Sequence, residues 1–479
     1  MYDRAHHRHT PVAPGGRGGR ASPETERLLF LLPTHAGSLQ SLSQPDPLPL
    51  SILAFQPFTG TSPAAALRAI AAATPADSPL VGPEWGWAAE GDDDPLAWRG
   101  VSRGGAGSSA VVDLSLADAA AVAFPPGALA ALAPALTSLR LSCCGLAADS
   151  PALMADLAAC TGLASLALDG NALPALPSSV AALPALASLY AGLNPMKSLG
   201  CALEGGAALA LTSSLHTLDV AGCQLSSLPD AFTRLGRLTC LLANNNALRT
   251  LPAGFGALTA LQRLSLHCNE LTELPDSIAE CSSLAFATLN CNALATLPDL
   301  SGLPLARLSL HFNALTALPA SLGSSLEALS AFNNALTEVP GALVASFPAI
   351  VRLSLYNNGL ASIPPEVGRL TALVELWLSD NRLATLPPEI GGCTALQRLW
   401  LTGNVLTSLP DELGGCGALQ ELYVDRNPTL STLPSSLSAC TRLRHLFCDP
   451  GLVAGLSPEL AALAKSGGGR AAPAAAPDK

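Results

Sequence analysis

Residues 261–275 read LQRLSLHCNELTELP, and the same spacing of Leu, Asn and Pro returns at 373–387 (LVELWLSDNRLATLP) and at 396–410 (LQRLWLTGNVLTSLP). The shared pattern is L-x-x-L-x-L-x-x-N-x-L-x-x-L-P, with the first Leu at position 1 and the Asn at position 9. A fixed period of this length is typical of proteins that stack one small unit many times. Thirteen repeats are visible, because position 9 recurs as Cys144, Asn171, Asn194, Cys223, Asn246, Asn269, Asn292, Asn313, Asn334, Asn358, Asn381, Asn404 and Asn427.

Each part of the pattern has a physical cause. The L-x-x-L-x-L segment alternates apolar and polar residues, which predicts a short strand with one buried face. One repeat cannot bury its Leu side chains alone, and each fully buried Leu contributes roughly 1.5–3 kcal/mol once neighbours stack on it. We expect the Asn amides to form an interior ladder at the bend after each strand, since an unpaired buried polar group costs about 1–3 kcal/mol. The longer steps, 144 to 171 and 194 to 223, predict extra loop.

The pattern resembles the leucine-rich repeat superfamily. Its return segment, L-P-x-x-φ-G-x-L-x-x-L at 251–261, 363–373 and 386–396, is most similar to the Ras-group-related class. That class includes Scribble and Erbin type scaffolds and plant intracellular proteins. The resemblance implies an α/β solenoid, a horseshoe with a parallel concave β-sheet and short helical or irregular convex turns. It also implies a role in binding other macromolecules.

Segments outside the repeats define the predicted domain limits. Ser62-Pro63 and Ser457-Pro458 predict helix starts, because Ser is a favoured cap and Pro suits the first helical turn; Ser22-Pro23 gives the same signal. The DPLAWRGV segment around Trp98 is similar to the N-terminal cap of plant receptor-type repeat proteins, although the two cysteines of that cap are absent. The predicted domains are a disordered basic N-terminus at 1–21, an N-terminal cap at 22–110, the solenoid at 111–452, a C-terminal capping helix at 453–465 and a disordered tail at 466–479.

Composition limits the classes of function. Hydrophobic residues make up 49% of the chain and the net charge is −11, which argues against a nucleic-acid ligand. No apolar run is long enough to span a bilayer. The cysteine count is odd, at 13, and many cysteines fall at interior positions such as Cys281 and Cys393, which predicts free thiols and a cytoplasmic protein. The alternatives are a plastid or mitochondrial location, suggested by the basic N-terminus, and secretion, suggested by the Trp98 segment.

Strand positions 3, 5, 7 and 8 are predicted to face outward on the concave side. The chain has twenty aromatic residues (Phe 11, Trp 5, Tyr 4), and six of them occupy these positions in consecutive repeats. Exposed aromatic patches usually mark binding sites, where Trp, Tyr and Arg dominate the energy. The alternative is that the aromatics only cover the sheet while Arg pairs with the Glu residues interleaved at position 3. The predicted partner-binding residues are Phe312, Phe332, Tyr356, Trp377, Trp400, Tyr423, Arg307, Arg352 and Arg398.

Catalytic and metal chemistry find little support. His267, Cys268, Cys291 and His311 lie on adjacent predicted strands, but they lack the tight local spacing of metal motifs, so we expect no metal, no cofactor and no enzyme activity. The leading hypothesis is a non-catalytic scaffold or adaptor for intracellular signalling that binds a protein. The resemblance implies a small GTPase or a phosphatase complex as partner. The alternatives are a receptor-type or secreted recognition module and an organellar interaction protein.

Overall fold

The structure, a computed structural model, describes residues 62–74, 99–104, 110–118, 124–147, 151–199 and 209–466. All of these residues belong to one compact unit, Phe55–Lys479. The predicted disordered N-terminus, the helix start at Ser22, the Trp98 segment and the tail beyond Ser466 lie outside the described residues. The domain limits that depend on them stay predictions.

The described residues form one open sheet of seventeen short strands. The first strand pairs antiparallel with the second, and every later strand pairs parallel with the one before it in the chain. The strands are β1 Val101–Arg103, β2 Val111–Ser115, β3 Ser138–Arg140, β4 Ser165–Ala167, β5 Ser188–Tyr190, β6 Thr217–Asp219, β7 Cys240–Leu242, β8 Arg263–Ser265, β9 Phe286–Thr288, β10 Arg307–Ser309, β11 Ala328–Ser330, β12 Arg352–Ser354, β13 Glu375–Trp377, β14 Arg398–Trp400, β15 Glu421–Tyr423, β16 His445–Cys448 and β17 Ala464–Ser466.

Short helical segments connect the strands. The α-helices are α1 Pro63–Ala73, α2 Ala128–Leu132, α3 Pro151–Leu157, α4 Leu209–Ser214, α5 Gly341–Ala345, α6 Pro450–Val453 and α7 Pro458–Leu463. Single 3₁₀ turns occupy Ser178–Ala182, Asp230–Arg234, Phe255–Ala257, Asp276–Glu280, Pro365–Arg369, Pro388–Gly392, Asp411–Gly415 and Ser435–Ala439. Within the described residues, no helix has both the length and the apolar character needed to cross a bilayer.

The predicted strand pattern accounts for the core. In β8, Leu264 at position 4 and the following Leu266 at position 6 are buried, while Ser265 between them faces the other side. Pro275 then precedes a 3₁₀ turn, where its missing N–H group leaves no strand bond unmade. Neighbouring repeats stack these side chains into one continuous apolar core, to which α1 adds Leu67 and Ile70. The thirteen repeats correspond to β3–β15.

The asparagine ladder forms the predicted hydrogen bonds. The Asn313 amide nitrogen donates to the carbonyl oxygens of Leu289 (3.0 Å) and Leu310 (2.8 Å), and its oxygen accepts from the Leu294 N–H group (3.0 Å). Each amide therefore joins its own repeat to the preceding one. The expectation of full burial is wrong for Asn313 and for several others, which are half-buried at the bend. The buried members are Asn171, Asn194, Asn381, Asn404 and Asn427.

Cysteine replaces only part of the ladder chemistry. The Cys144 thiol donates to the Leu116 carbonyl oxygen at 2.9 Å, and the Cys223 thiol donates to that of Ala191 at 3.3 Å. A thiol is a weak donor and a weak acceptor, so it provides less than the amide.

Two predictions about helices need correction. The longer repeats contain α3 and α4, so their additional residues are helical in part rather than loop alone. The predicted capping helix at 453–465 is much shorter in the structure: α6 ends at Val453, α7 covers only Pro458–Leu463, and β17 follows. Ser457 caps α7 as expected, but Ala464 already has extended backbone, and β17 then pairs with β16 and extends the sheet by one strand.

Candidate binding surface on the concave sheet face

Position 8 bends the chain the same way in every repeat. Its backbone φ lies between 50° and 70° in all thirteen repeats, the left-handed region that Gly, Asn and Asp tolerate best. We did not predict this conformation, although seven of the thirteen residues are of these three types. The residues are Cys143, Gly170, Leu193, Gly222, Asn245, Cys268, Cys291, Phe312, Asn333, Asn357, Asp380, Gly403 and Arg426.

Five of the six predicted aromatic residues, all but Phe312, lie next to one another in a single line that also includes His311 and Phe447 and that we term the aromatic column. Its rings contact one another from one strand to the next because neighbouring parallel strands are about 4.8 Å apart; four of the six contacts are stacked, one is tilted and one is edge-on. The centroid separations along the column are 4.3, 4.3, 6.2, 4.7, 5.6 and 4.4 Å. The members are His311, Phe332, Tyr356, Trp377, Trp400, Tyr423 and Phe447.

The column changes position along the array. Its first three members occupy position 7 of their repeats, whereas Trp377 and the later members occupy position 5. The step from Tyr356 to Trp377 is accordingly the widest, at 6.2 Å with the rings tilted by 37°. Past this step, position 7 carries the small or polar residues Ser379, Thr402 and Asp425, all buried. Each lies two residues after a large ring on the same strand face, so the ring covers it.

The exposure of the column is uneven. Phe332 and Trp400 are each only 4% exposed, so the prediction that they are exposed is wrong. Both belong to the outward face, but rings on either side cover them. Tyr356 and Trp377 are half-buried, and burial raises the pKa of Tyr356 to about 12, which keeps its hydroxyl neutral. Phe312, at position 8, packs edge-on against Phe332 and remains 53% exposed, the largest open apolar group of this region.

Two tryptophans leave polar atoms unsatisfied. Among the described residues, the buried indole N–H groups of Trp377 and Trp400 have no hydrogen-bond acceptor, and the nearby hydroxyls of Ser354 and Ser379 also lack a partner. A buried donor without an acceptor costs about 1–3 kcal/mol. The column is therefore not optimised for stability alone.

A row of alternating charges flanks the column at position 3. Glu375 lies between Arg352 and Arg398 and pairs with both, at 3.7 Å in the case of Arg352. Arg398 also reaches Glu421 at 3.6 Å, and the Tyr423 hydroxyl donates to Glu421 at 2.9 Å. Arg352 and Arg398 thus form the ion pairs of the alternative interpretation, and partly exposed pairs of this kind contribute about 0–1 kcal/mol each.

The other side of the column carries a bridge over one glycine. Arg426 pairs with Asp380, two repeats away, above Gly403. A Cβ atom at Gly403 would meet the Asp380 carboxylate and the Arg426 guanidinium, so a side chain at this position would displace the bridge. This contact was not predicted.

The strands before the column carry a polar surface. The Ser265 hydroxyl lies 2.9 Å from His267 Nδ1 and accepts from the Thr288 hydroxyl at 3.0 Å. Burial lowers the pKa of His267, so its imidazole favours the neutral form. The guanidinium carbon of Arg307 lies 6.0 Å from the centre of the Phe286 ring. Arg307 lies apart from the ion-pair row that Arg352 and Arg398 form. The described residues contain no group of three His, Cys, Asp or Glu side chains that could hold a metal ion.

Comparison with known proteins agrees with this geometry. Residues 371–415 match the family described as Leucine Rich repeats (2 copies), and residues 214–235 match Leucine Rich Repeat. The fold is a leucine-rich repeat solenoid. No curated protein matches the chain. The matches do not identify the Ras-group-related class within this superfamily.

Solved structures of leucine-rich repeat proteins resemble this solenoid. A Leptospira interrogans repeat protein is 29% identical, with a TM-score of 0.60 over 69% of this chain and 82% of its own. The plant peptide hormone receptor RGFR1, in complex with RGF2, is 25% identical, with a TM-score of 0.58 over 74% of this chain and 56% of its own. Drosophila Toll in its complex with Spatzle is 24% identical over 68% of this chain and 48% of its own, with a TM-score of 0.57. This chain spans about half the length of the Toll and RGFR1 chains, and the fold itself is that of a protein-interaction module.

Proposed function

We propose that the concave face over β10–β16 binds a protein partner and that the chain acts as a non-catalytic scaffold or adaptor. The observation that carries the proposal is the aromatic column, which runs without interruption through seven adjacent strands. Binding energy in protein interfaces is concentrated in a few Trp, Tyr and Arg residues that lie close together. A column of this length provides such residues in one place.

The exposed fraction of each ring indicates whether it would contact the partner directly or support its neighbours. Phe312, Tyr356, Trp377 and Tyr423 present accessible surface and would make direct contact. Phe332 and Trp400, being covered, would support them. The unpaired indole N–H group of Trp377 adds a reason for a partner, because a small rotation of this half-buried ring would let an acceptor on the partner satisfy it.

The charged residues form the rim of the proposed interface. Arg352 and Arg398 are partly exposed although they pair with Glu375, so a partner carboxylate competes with an existing ion pair rather than with water alone. Exchange of this kind affects specificity and association rate more than affinity. Arg307 extends the same row beside Phe286.

We further propose that the partner is a signalling protein in the cytoplasm. A small GTPase or a phosphatase complex is the class that the resemblance to Ras-group-related repeats implies. The twelve cysteines of the described residues are all free thiols, which supports a reducing compartment. The second candidate is a receptor-type module, favoured by the likeness to the plant peptide hormone receptor RGFR1. An organellar interaction protein is the third, because the N-terminus is basic.

One substitution tests the binding surface. Phe312→Asn removes the exposed ring and suits the left-handed backbone, since Asn occupies the same position at 245, 333 and 357. Val405→Ser is the matched control, because Val405 is also an exposed apolar residue, 45% accessible, but lies outside positions 3 to 8. Proteins captured from cell extract by the full chain should decrease at least about tenfold with Phe312→Asn, as expected for a hot-spot aromatic. Capture with Val405→Ser should equal that of the wild type.

Two further measurements help to interpret the capture experiment. Thermal melting checks that Phe312→Asn folds as the wild type does. Cross-linking followed by mass spectrometry locates the contact, which should include residues of the aromatic column. Equal capture by both variants, or cross-links confined to other faces, would reject the concave surface. Cell fractionation with thiol counting separates the three locations, since oxidised cysteines in a secreted form would favour the receptor-type module.

A further inference from the structure

Two thiols occupy the same position in adjacent repeats. Cys268 and Cys291 are both at position 8, three residues after the paired residues Ser265 and Thr288 of β8 and β9. The register continues beyond the strands, because the Cys268 N–H group donates to the Asn290 carbonyl oxygen at 3.0 Å. Adjacent parallel strands place such residues about 4.8 Å apart, within the 4.4–6.8 Å between Cα atoms that a disulfide bond requires.

The backbone also aligns the two side chains. The φ angles are 55° at Cys268 and 54° at Cys291, so the two Cα–Cβ bonds point in the same direction. The Cys291 thiol is close enough to raise the pKa of Cys268. The Asn290 side-chain amide donates to the Cys291 sulfur at 3.6 Å, which makes Cys291 the sulfur with an additional donor.

Accessibility distinguishes this pair from most other cysteines. Cys268 is exposed and Cys291 is half-buried, whereas eight of the remaining described cysteines are buried. Burial, with Cys291 as the second cause, raises the pKa of Cys268 to about 11, so its thiol stays protonated at neutral pH. Burial alone raises the pKa of Cys393 to about 12, and that thiol is enclosed by the core.

We propose that Cys268 and Cys291 are an oxidation site, in which a peroxide converts the two thiols into a disulfide bond between adjacent repeats. The Cys291 sulfur attacks one oxygen of hydrogen peroxide and the O–O bond breaks. The other oxygen leaves as water with the Cys291 proton, and Cys291 becomes a sulfenic acid. The Cys268 sulfur then attacks the sulfenic sulfur, and the S–O bond breaks. The oxygen leaves as a second water with the Cys268 proton. Two thiols lose two electrons and two protons, and the peroxide accepts them.

The proposed bond lies close to the aromatic column. Phe312 occupies position 8 of the next repeat, so the disulfide lies beside the N-terminal end of the aromatic column. The proposal does not depend on the column being a binding surface, because the bond forms in the isolated chain.

Peptide mapping of the full-length protein tests the proposal. Folded wild-type protein is treated with hydrogen peroxide, blocked with iodoacetamide and digested. The expected product is a peptide pair joined through Cys268 and Cys291, two hydrogen atoms lighter than the sum of the thiol peptides and separated again by a dithiol reductant. Cys291→Ser and Cys268→Ser should each abolish the joined pair.

Cys143 provides the matched control. It is exposed and left-handed at position 8, but Gly170 occupies the equivalent position of the next repeat. Cys143→Ser should therefore form the Cys268–Cys291 bond to the same extent as the wild type. Sulfinic or sulfonic acid at Cys268 without a joined peptide in the wild type would overturn the proposal, and so would a joined pair that forms only in urea. The wild-type result decides the question even if a Ser variant fails to fold.

Discussion

Asn404 offers the sharpest test of what holds the repeats together. The side chain is 3% exposed, and its oxygen accepts from the Leu383 N–H group of the preceding repeat at 3.0 Å. Its nitrogen donates to the carbonyl oxygens of Leu378 (3.0 Å) and Leu401 (2.9 Å). Asn404→Ala removes all three bonds without changing the strand itself.

The expected loss in the free energy of unfolding depends on which backbone groups keep a hydrogen-bond partner in Asn404→Ala. Leu378 O also accepts from Asn381, and Leu401 O also accepts from Asn427, so both carbonyls keep one ladder donor in the variant. The N–H group of Leu383 loses the side-chain acceptor that holds it. An orphaned buried donor costs about 1–3 kcal/mol, and each weakened carbonyl bond adds up to about 1 kcal/mol. We expect Asn404→Ala to lower the free energy of unfolding by about 2–4 kcal/mol.

Asn404→Cys separates the two kinds of bond. The natural thiols Cys144 and Cys223 each donate to a carbonyl just after the preceding strand, so we expect a thiol at 404 to retain one donor bond. It accepts only weakly from the Leu383 N–H group. We therefore expect Asn404→Cys to be more stable than Asn404→Ala by about 1 kcal/mol and less stable than the wild type.

Urea denaturation followed by tryptophan fluorescence measures these differences, since Trp377 and Trp400 flank the site. Repeat arrays often unfold in parts, so the slope of each transition must be compared between variants before free energies are subtracted. Hydrogen exchange of the Leu383 amide gives a local measure. Ser408→Ala, an exposed change in the same repeat, should leave stability within about 0.5 kcal/mol of the wild type. A change below about 0.5 kcal/mol for Asn404→Ala, or an unaltered Leu383 exchange rate, would refute the ladder reasoning.

Three other results are expected. Trp400→Ala should lower the free energy of unfolding by about 3–5 kcal/mol in urea denaturation because the ring is buried, and a change below about 1 kcal/mol would contradict that burial. Gly403→Ala should destabilise by about 1–2 kcal/mol through its left-handed backbone and should break the Arg426–Asp380 pair, so a neutral melting temperature would contradict the steric argument. Because burial lowers the folded pKa of His267, the unfolded chain binds a proton more readily, and stability should fall as pH drops through about 6.5 and below; His267→Gln should flatten that slope, and an unchanged slope would assign it to other groups.

Much of the fold was predictable because the repeat is local. The spacing of Leu264 and Leu266 within one strand defines the buried face, and Ser62 and Ser457 mark helix starts by their own chemistry. Ala464 shows the limit of this approach. Its segment follows a helical pattern, but pairing with β16 was stronger than the local preference, since a strand there satisfies an otherwise open sheet edge.

The candidate site likewise has a part that the sequence predicted and a part that it did not. Sequence spacing predicted that Trp377, Trp400 and Tyr423 lie side by side, since that depends only on the period and on the alternation of a strand. It did not predict that Trp400 is covered while Phe312 stays open, because coverage depends on the volume of side chains in the neighbouring repeats.

By itself, the sequence determined that the chain stacks, which residues face inward and where each repeat bends. Only the tertiary structure decided that position 8 is left-handed throughout and that Arg426 reaches Asp380 over Gly403. The physical reason is the distance over which each property acts. The spacing of apolar residues depends only on the residues of one repeat. Contacts between repeats depend on the strand register and on the space left by the side chains of neighbouring repeats.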